Sequence, residues 1–253
     1  MAGRSPSGVS VVERALAVLG AFDESHRRLS LSEVAERAGL PVPTALRLIR
    51  QFVAGGALER TASGKYVVGR RMWDLGLLAP VQTGLRNLAS PYLQDLQAAT
   101  RATVHLAVRD GTSALYVDRL SGRASVPVVS NVGGRLPLHS TGVGKVLLAY
   151  APAEVRQEVL GNLTRLTAYT ITSAGLLAAQ LDRVRREGFA TTSEEMTLGA
   201  CSLAVPVRGA DGEVVAALGL VVPSLNRERA RLTAAANVAA QGIQRELTRA
   251  GAL

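Results

Sequence analysis

Cysteine, aromatic side chains and lysine are all scarce in this chain of 253 residues. A single cysteine, Cys201, rules out an internal disulfide framework, and the three histidines, His26, His105 and His139, are too scattered for the spacing of a metal site. Neither a metal nor any other cofactor is expected. Aromatics make up 4% of the residues against a hydrophobic fraction of 47%, which leaves Leu, Val and Ala to build the core. No apolar run approaches the ~20 residues of a membrane span. Met1 to Ser10 contains Arg4 but no apolar segment behind it, so no secretory signal is expected and the chain reads as cytoplasmic. Lysine occurs only at Lys65 and Lys145, so arginine carries most of the net charge of +9. Such a balance favours a polyanionic partner. Residues 1–80 hold 11 Lys or Arg against 7 Asp or Glu, an excess of four, and the rest of the chain carries the other five. The length suffices for two modest domains, each with its own core.

The most informative stretch runs from Ser30 to Arg60. Ser30 followed by Glu33 fits a capping box, which starts a helix at Leu31. Leu31, Val34, Ala35 and Ala38 then recur at helical spacing, and Gly39 stands where a left-handed residue ends such a helix. Pro41 and Pro43 suit the first turn of a second helix, where backbone N–H groups lack intrahelical partners anyway. Ala45, Leu48, Ile49, Phe52 and Val53 form one face of that helix. The other face carries Thr44, Arg47 and Gln51, with Arg50 at its edge, a mixture suited to phosphates and base edges in a DNA major groove. Leu58–Arg60 and Tyr66–Val68 are short strand-like runs about a turn at Ser63 and Gly64. The order is that of a winged helix-turn-helix, with Ser32, Thr44, Arg47, Arg50, Gln51 and Lys65 as candidate DNA contacts. A small helical subdomain with solvated arginines shares the charge pattern but does not require the sequence of cap, glycine stop, proline start and basic hairpin.

Around this stretch, Val11 to Phe22 reads as a first helix. Val11, Ala15, Val18 and Phe22 lie on one line with Val12, Leu16 and Leu19 beside it, completing a three-helix core. Arg4, in the tail before it, is a candidate minor-groove contact. Residues 70–80, with Met72, Trp73, Leu75 and Leu78, read as a linker helix ended or kinked by Pro80. Val81 to Ala99 is a further helix with Pro91 as a start or kink. Val104–Arg109 and Ala114–Leu120 flank an Asp110-Gly111 turn, and Val126–Ser130 reads as a third strand. Helices follow near Thr141–Tyr150, Ala153–Leu160 and Ala174–Gly188. Strands at Ser202–Arg208 and Glu213–Val222 enclose a second Asp-Gly turn, and Asn226–Thr248 closes the chain as a helix. Strands segregated from helices give an α+β class for this part. The expected domains are residues 1–69, a linker at 70–80, and 81–253.

Within the second part, SerThrGlyValGlyLys at 140–145 opens a helix, so its first N–H groups and the positive end of its dipole favour an anion such as a carboxylate. A phosphate-binding P-loop is excluded, because residue 139 is His rather than Gly and Val146 follows Lys145 where Ser or Thr is required. The same glycines also suit simple close packing of a helix start. His139 has no nucleophile nearby in sequence and reads as a capping or packing residue. Cys201 reads as a small buried apolar residue, and Glu194 and Glu195, taken as neighbours on one strand, would face opposite ways.

Chain length, the N-terminal winged helix and the stretch RLPLHSTGVGKVLLA together resemble the IclR family of bacterial transcriptional regulators, over nearly the whole chain. The resemblance implies a GAF-like effector-binding domain after the linker helix, and a homodimer or homotetramer that addresses a palindromic operator in double-stranded DNA. It also implies which residues hold the effector, a small organic acid: Gly142 and Val143 at the carboxylate, where Ser140 and Thr141 of the same helix start are further candidates, Val128 at the pocket floor, and Thr192, Ser202, Gly219 and Val221 on the wall. Thr192 stands where glyoxylate- and pyruvate-binding relatives have Asp, Ser202 where they have Cys, and Gly219 and Val221 where some have serines. The thinner polar wall implies a larger or less polar acid than glyoxylate. Val42 and Pro43 depart from the family's basic and serine positions in the recognition helix. The function expected is therefore that of a DNA-binding regulator, a repressor, whose operator affinity an acid modulates. One rival is a small-acid enzyme using Ser140 to Lys145 as its anion site, and a second is an architectural DNA binder without a ligand.

Overall fold

The structure, a computed structural model, describes residues 10–23, 26–76, 83–121, 126, 129–226 and 228–251. The chain divides into two compact units, Met1–Val81 and Gln82–Leu253. In the first, α1 (Val11–Gly20), α2 (Leu31–Arg37) and α3 (Val42–Ala54) precede a hairpin of β1 (Leu58–Arg60) and β2 (Tyr66–Val68), and α4 (Arg70–Gly76) follows. Both halves of the capping box at α2 form: the Ser30 hydroxyl accepts from the Glu33 N–H, and Glu33 accepts from the Ser30 N–H. The hydrogen bond from the Ser30 N–H holds the Glu33 carboxyl below its usual range. Gly39 adopts φ +63°, which ends α2 without strain. A bridge between Leu29 and Tyr66 ties the hairpin to the chain entering α2.

Two sequence expectations fail in this unit. Val18 is buried and Ala15, Leu19 and Phe22 pack on the core, but Val11, Val12 and Leu16 lie exposed, because three helices and a small hairpin cover only one side of α1. On α3 Ala45, Leu48 and Ile49 are buried while Val53 is exposed, and Pro41 is the N-cap rather than a first-turn residue.

The second unit is a six-stranded antiparallel sheet with helices on both faces. It comprises α5 (Thr83–Thr100), β3 (Thr103–Asp110), β4 (Ser113–Leu120), β5 (Arg135–Pro137), α6 (Gly142–Ala149), α7 (Ala153–Gly161), α8 (Ala174–Glu187), β6 (Ala190–Ser193), β7 (Cys201–Arg208), β8 (Val214–Val222) and α9 (Arg229–Ala250). The strand order is β5-β4-β3-β8-β7-β6. Alternate residues such as Leu106, Leu203 and Leu218 face α5 and α9, while Ala107, Ala204 and Ala217 face the layer containing α6 and α8. One irregularity breaks the alternation. Ala107 pairs with Tyr116 but Leu106 with Asp118, so Val117 is an extra residue in β4. The bulge puts Tyr116 and Arg119 on the same face although they are an odd number of positions, three, apart, and turns Asp118 toward Arg86 of α5, 3.2 Å away.

Several expected elements move. The strand expected at Val126–Ser130 is not found: Val126, Val129 and Ser130 are in no strand, Pro127 and Val128 lie outside the described residues, and the edge strand is β5. Proline lacks the N–H a ladder requires. The short polar strand β6 carries no strand signal in the sequence, because AlaThrThrSer has no apolar alternation. Helix α5 runs through Pro91, held by Ala89, Leu93 and Leu96 in the core, and α9 starts at Arg229. Residues 77–82, which include the expected end of the linker helix, lie outside the described residues. Among the described residues no helix is long and apolar enough to cross a membrane.

Helices α5 and α9 cross where Gly242 meets the ring of Tyr92, and a Cβ there would fall within the ring's van der Waals shell. Gly242→Ala is expected to destabilise the protein by ~1–3 kcal/mol through overpacking. Urea denaturation checks this as a lowered midpoint, and an unchanged midpoint would mean that the two helices part at no cost.

Candidate functional site

The exposed side of α3 carries the expected DNA-reading residues. Arg47, Arg50 and Gln51 are exposed and Thr44 is half-buried, opposite buried Ala45, Leu48 and Ile49. Ser32 is exposed on α2. Lys65, in the turn between β1 and β2, is also exposed and stands 3.9 Å from the Glu33 carboxylate. A pair so open to solvent contributes little, which leaves the ammonium available to a phosphate. Arg4 lies outside the described residues.

In the second unit a cavity of about 480 Å³, its mouth included, opens between the sheet and the start of α6. Eight of the nine residues expected around an acid line it: Ser140, Thr141, Gly142, Val143, Thr192, Ser202, Gly219 and Val221. The ninth, Val128, lies outside the described residues. The arrangement follows from strand register. Thr192 pairs with Ser202 and Ser202 with Val221, so three neighbouring strands present one row toward α6. Gly219, one row further, lets α6 settle on the sheet; a Cβ there would stand 2.6 Å from Val143 Cγ1.

Thr141 caps α6, its Oγ1 accepting from the Gly144 N–H at 3.1 Å. Ser202 Oγ accepts from the Gly142 N–H at 3.1 Å and lies 2.5 Å from Thr192 Oγ1. This short chain has a definite proton count. Either Ser202 donates to Thr192 or the reverse, and in both cases one hydroxyl proton remains for another acceptor. With the Val143 N–H, which has no intrahelical acceptor in the first turn, it makes a donor set fitted to a carboxylate without any fixed charge.

Sequence reasoning missed other lining residues, chiefly His105, Tyr116, Ser130 and Met196. His105 Nε2 and Ser130 Oγ are 2.8 Å apart, and the His105 and Tyr116 rings meet edge to face with centroids 5.0 Å apart. Burial, aided by the nearby Arg119 charge, holds the His105 imidazole down at about 3, so it is neutral. Burial likewise pushes the Tyr116 phenol up to about 12. The signal that could have found His105 is a polar residue amid the apolar alternation of β3.

Lys145 is not part of the cavity. It is fully buried, with Nζ 2.6 Å from Glu195 Oε1 and 2.7 Å from Gln180 Oε1. The anion site of the rival enzyme reading therefore loses its cation. Nor are Glu194 and Glu195 on a strand: they follow β6 in a loop where Glu194 has φ +56° and accepts the Gly199 N–H, while Glu195 turns inward to Lys145. The Glu195 carbonyl accepts from Thr170 Oγ1 at 2.7 Å, and the next two residues, Met196 and Thr197, line the cavity. His139 packs, its Nε2 2.9 Å from the Thr164 carbonyl, and caps nothing. Cys201 is half-buried, its thiol 3.6 Å from Ser193 Oγ, rather than sealed in the core. Among the described residues no group of His, Cys, Asp and Glu is arranged to hold a metal.

Residues 79–245 match the model of the bacterial transcriptional regulator IclR C-terminal domain, and residues 11–62 match the IclR helix-turn-helix domain. The chain belongs to the IclR family. It is 32% identical to the HTH-type transcriptional regulator KdgR of Dickeya chrysanthemi over 225 residues, 88% of this chain and 73% of that one. It is 27% identical to the HTH-type transcriptional repressor AllR of Salmonella typhi over 86% of this chain and 81% of the other. Among solved structures, an IclR homologue of Microbacterium hydrocarbonoxydans complexed with 4-hydroxybenzoate is 34% identical, with a TM-score of 0.90 over 95% of this chain and all of that one. This IclR-family protein is thus a transcriptional regulator with an N-terminal helix-turn-helix and a C-terminal α+β effector domain. The comparisons lend no support to the enzyme reading.

The Lys145–Glu195 pair sets a pH-dependent expectation for this regulator. Burial pushes the Glu195 carboxyl up and the Lys145 ammonium down, each opposed by the other's charge. In Lys145→Met the opposing charge is gone, so Glu195 binds a proton more readily in the folded than in the unfolded state. Stability then falls as pH rises through that raised value. The loss relative to wild type is expected to reach ~3–5 kcal/mol at pH 8 and to be smaller at pH 5. Urea denaturation at the two pH values checks it; an equal loss at both would mean that Glu195 is not the group left exposed to the change.

Proposed function

We propose that this regulator represses transcription by binding a palindromic operator as a homodimer or homotetramer in the cytoplasm, and that a small organic acid in the α6 cavity modulates that binding. The observation that carries the acid is the donor set of the Val143 N–H and the Ser202–Thr192 hydroxyl pair at the start of α6. It suits a carboxylate and offers no cation or acid-base pair for turnover. The complex of the Microbacterium relative with 4-hydroxybenzoate and the naming of AllR as a repressor support the acid and the sign respectively. Ser32, Thr44, Arg47, Arg50, Gln51 and Lys65 are the proposed DNA contacts. The eight cavity-lining residues named above and Val128 are the proposed effector contacts. The proposed domains are residues 1–69, 70–80 and 81–253. Self-association is favoured by exposed Val11, Val12 and Leu16 on α1 together with Trp73, 67% exposed, and Leu75 on α4.

An acid changes DNA affinity only through its differential affinity for the DNA-competent arrangement. Fluorescence anisotropy on DNA upstream of the protein's own gene, at fixed salt, with and without a panel of carboxylic acids, tests the whole reading. Sequence-specific binding weakened by one acid supports it; binding no tighter than to random duplex overturns it. In the same assay Arg47→Ala is expected to cost ~1–3 kcal/mol on the operator and much less on random duplex. Equal losses on both would assign Arg47 to a phosphate.

A further inference from the structure

The helix α3 ends in a way that commits the chain beyond it. The Ala57 N–H donates to the Phe52 carbonyl at 2.8 Å and the Gly56 N–H to the Val53 carbonyl at 3.0 Å, with Gly56 at φ +72°. This is a Schellman closure, which satisfies the last carbonyls of a helix and fixes the direction in which the chain leaves it. The β1–β2 hairpin then returns the chain to the same place, because Leu58 pairs with Val68. Gly69 follows, and its N–H donates to the Ala57 carbonyl at 2.9 Å. A Cβ on Gly69 would fall within the van der Waals shell of the Gly56 carbonyl oxygen, so the two segments come this close only with glycine there.

The first turn of α4 starts from that contact and adds bonds to it. The Arg70 N–H donates to Glu59 Oε1 at 3.2 Å, the Arg71 N–H to the Gly56 carbonyl at 3.3 Å, and Arg71 Nη1 to the Gly55 carbonyl at 3.0 Å. Gly55 is the C-cap of α3, and the last turn of α3 has no basic residue of its own. The Arg71 guanidinium therefore supplies a cation at the negative end of that helix. No residue of α4 is buried, and Trp73 and Leu75 stand exposed. The helix is fastened through its first turn to the end of α3, and its exposed apolar side chains add nothing to the core of its own unit.

Resting on the reading of a homo-oligomer on a palindromic operator given above, we infer that Arg71 is a positioning residue: its bond to Gly55 makes α3 and α4 one rigid body and so fixes the spacing at which two copies present α3 to DNA. Copies joined through α4 are two binding modules on one connector. A stiff connector concentrates the second module at a single half-site spacing, while a loose one spreads it over many and lowers it at each.

Two measurements on the full-length protein test this. Trp73 is the single tryptophan, so the anisotropy of its fluorescence follows α4 without any DNA. Arg71→Ala, at an exposed position, is expected to lower it. The second measurement is binding to the DNA upstream of the protein's own gene, to one half-site of it, and to the same DNA with two base pairs inserted between the half-sites. The insertion turns one half-site by about 70° relative to the other. Wild type is expected to lose about tenfold in affinity on the insertion. Arg71→Ala should bind the native spacing about tenfold more weakly than wild type, lose less than about threefold on the insertion, and bind the single half-site within about twofold of wild type. Gly69→Ala should act in the same direction, and Arg71→Ala remains the test if that variant does not fold. Equal losses on half-site and full operator overturn the inference, making Arg71 a phosphate contact. An unchanged Trp73 anisotropy, or an insertion penalty equal to that of wild type, also overturns it, because α4 is then held, or the copies joined, without Arg71. A wild type that binds no specific site, or is indifferent to the insertion, overturns the palindromic reading itself, and this inference with it.

Discussion

The close approach of α6 to the sheet is the constraint on which the effector domain depends. The helix start reaches Ser202 and Gly219 only because the residues beneath it are Gly219, Ala204, Ala107 and Ala217. A larger side chain at Gly219 would collide with Val143, lift the helix and open the Gly142–Ser202 hydrogen bond. Shape and polarity of the cavity are therefore set together. The small residues that let the helix descend also leave the space beside it empty, and the descent is what aims backbone N–H groups into that space.

The other side of the same helix is fixed by a buried charge. Lys145 joins Glu195 and Gln180 beside a core cluster built mostly of Leu, Val and Ala. Removing two charges from water is costly, and a pair of this kind contributes less to net stability than apolar groups of equal volume would. What it confers is position. Glu195 belongs to the loop that carries Met196 and Thr197 over the cavity, and its carbonyl is held by the Thr170 hydroxyl. One helix thus supplies the donors at the cavity and the cation that anchors the cavity's covering loop.

Neutrality characterises the cavity wall. His105 is held uncharged by burial, Tyr116 is held protonated, and Thr192 and Ser202 are hydroxyls. A wall without fixed charge binds an anion through dipoles and hydroxyl protons alone, which makes affinity depend on how well a guest's own polar groups match those positions. The reader domain works by the opposite physics. A helix-turn-helix meets a polyanion through charge first and base edges second, and the arginines proposed for that contact stand exposed on α3.

The sequence by itself determined the features whose hydrogen bonds close within a few residues. The Ser30–Glu33 capping box, the stop at Gly39, the β1–β2 hairpin and the turn at Asp110-Gly111 depend on neighbours in the chain, and all stand where their residues placed them. The family resemblance added the cavity positions, since Gly142, Thr192 and Ser202 occur in recognisable motifs. Only the tertiary structure decided the rest. His105 meets Ser130 across 25 residues of chain and Lys145 meets Glu195 across 50. One extra residue at Val117 exchanges the faces on which Asp118 and Arg119 lie, and exposure of Val11, Val12 and Leu16 depends on how much of α1 a small three-helix unit covers. Periodicity gives a side chain's direction relative to its own helix or strand. Which group it meets there depends on register and packing between segments distant in sequence.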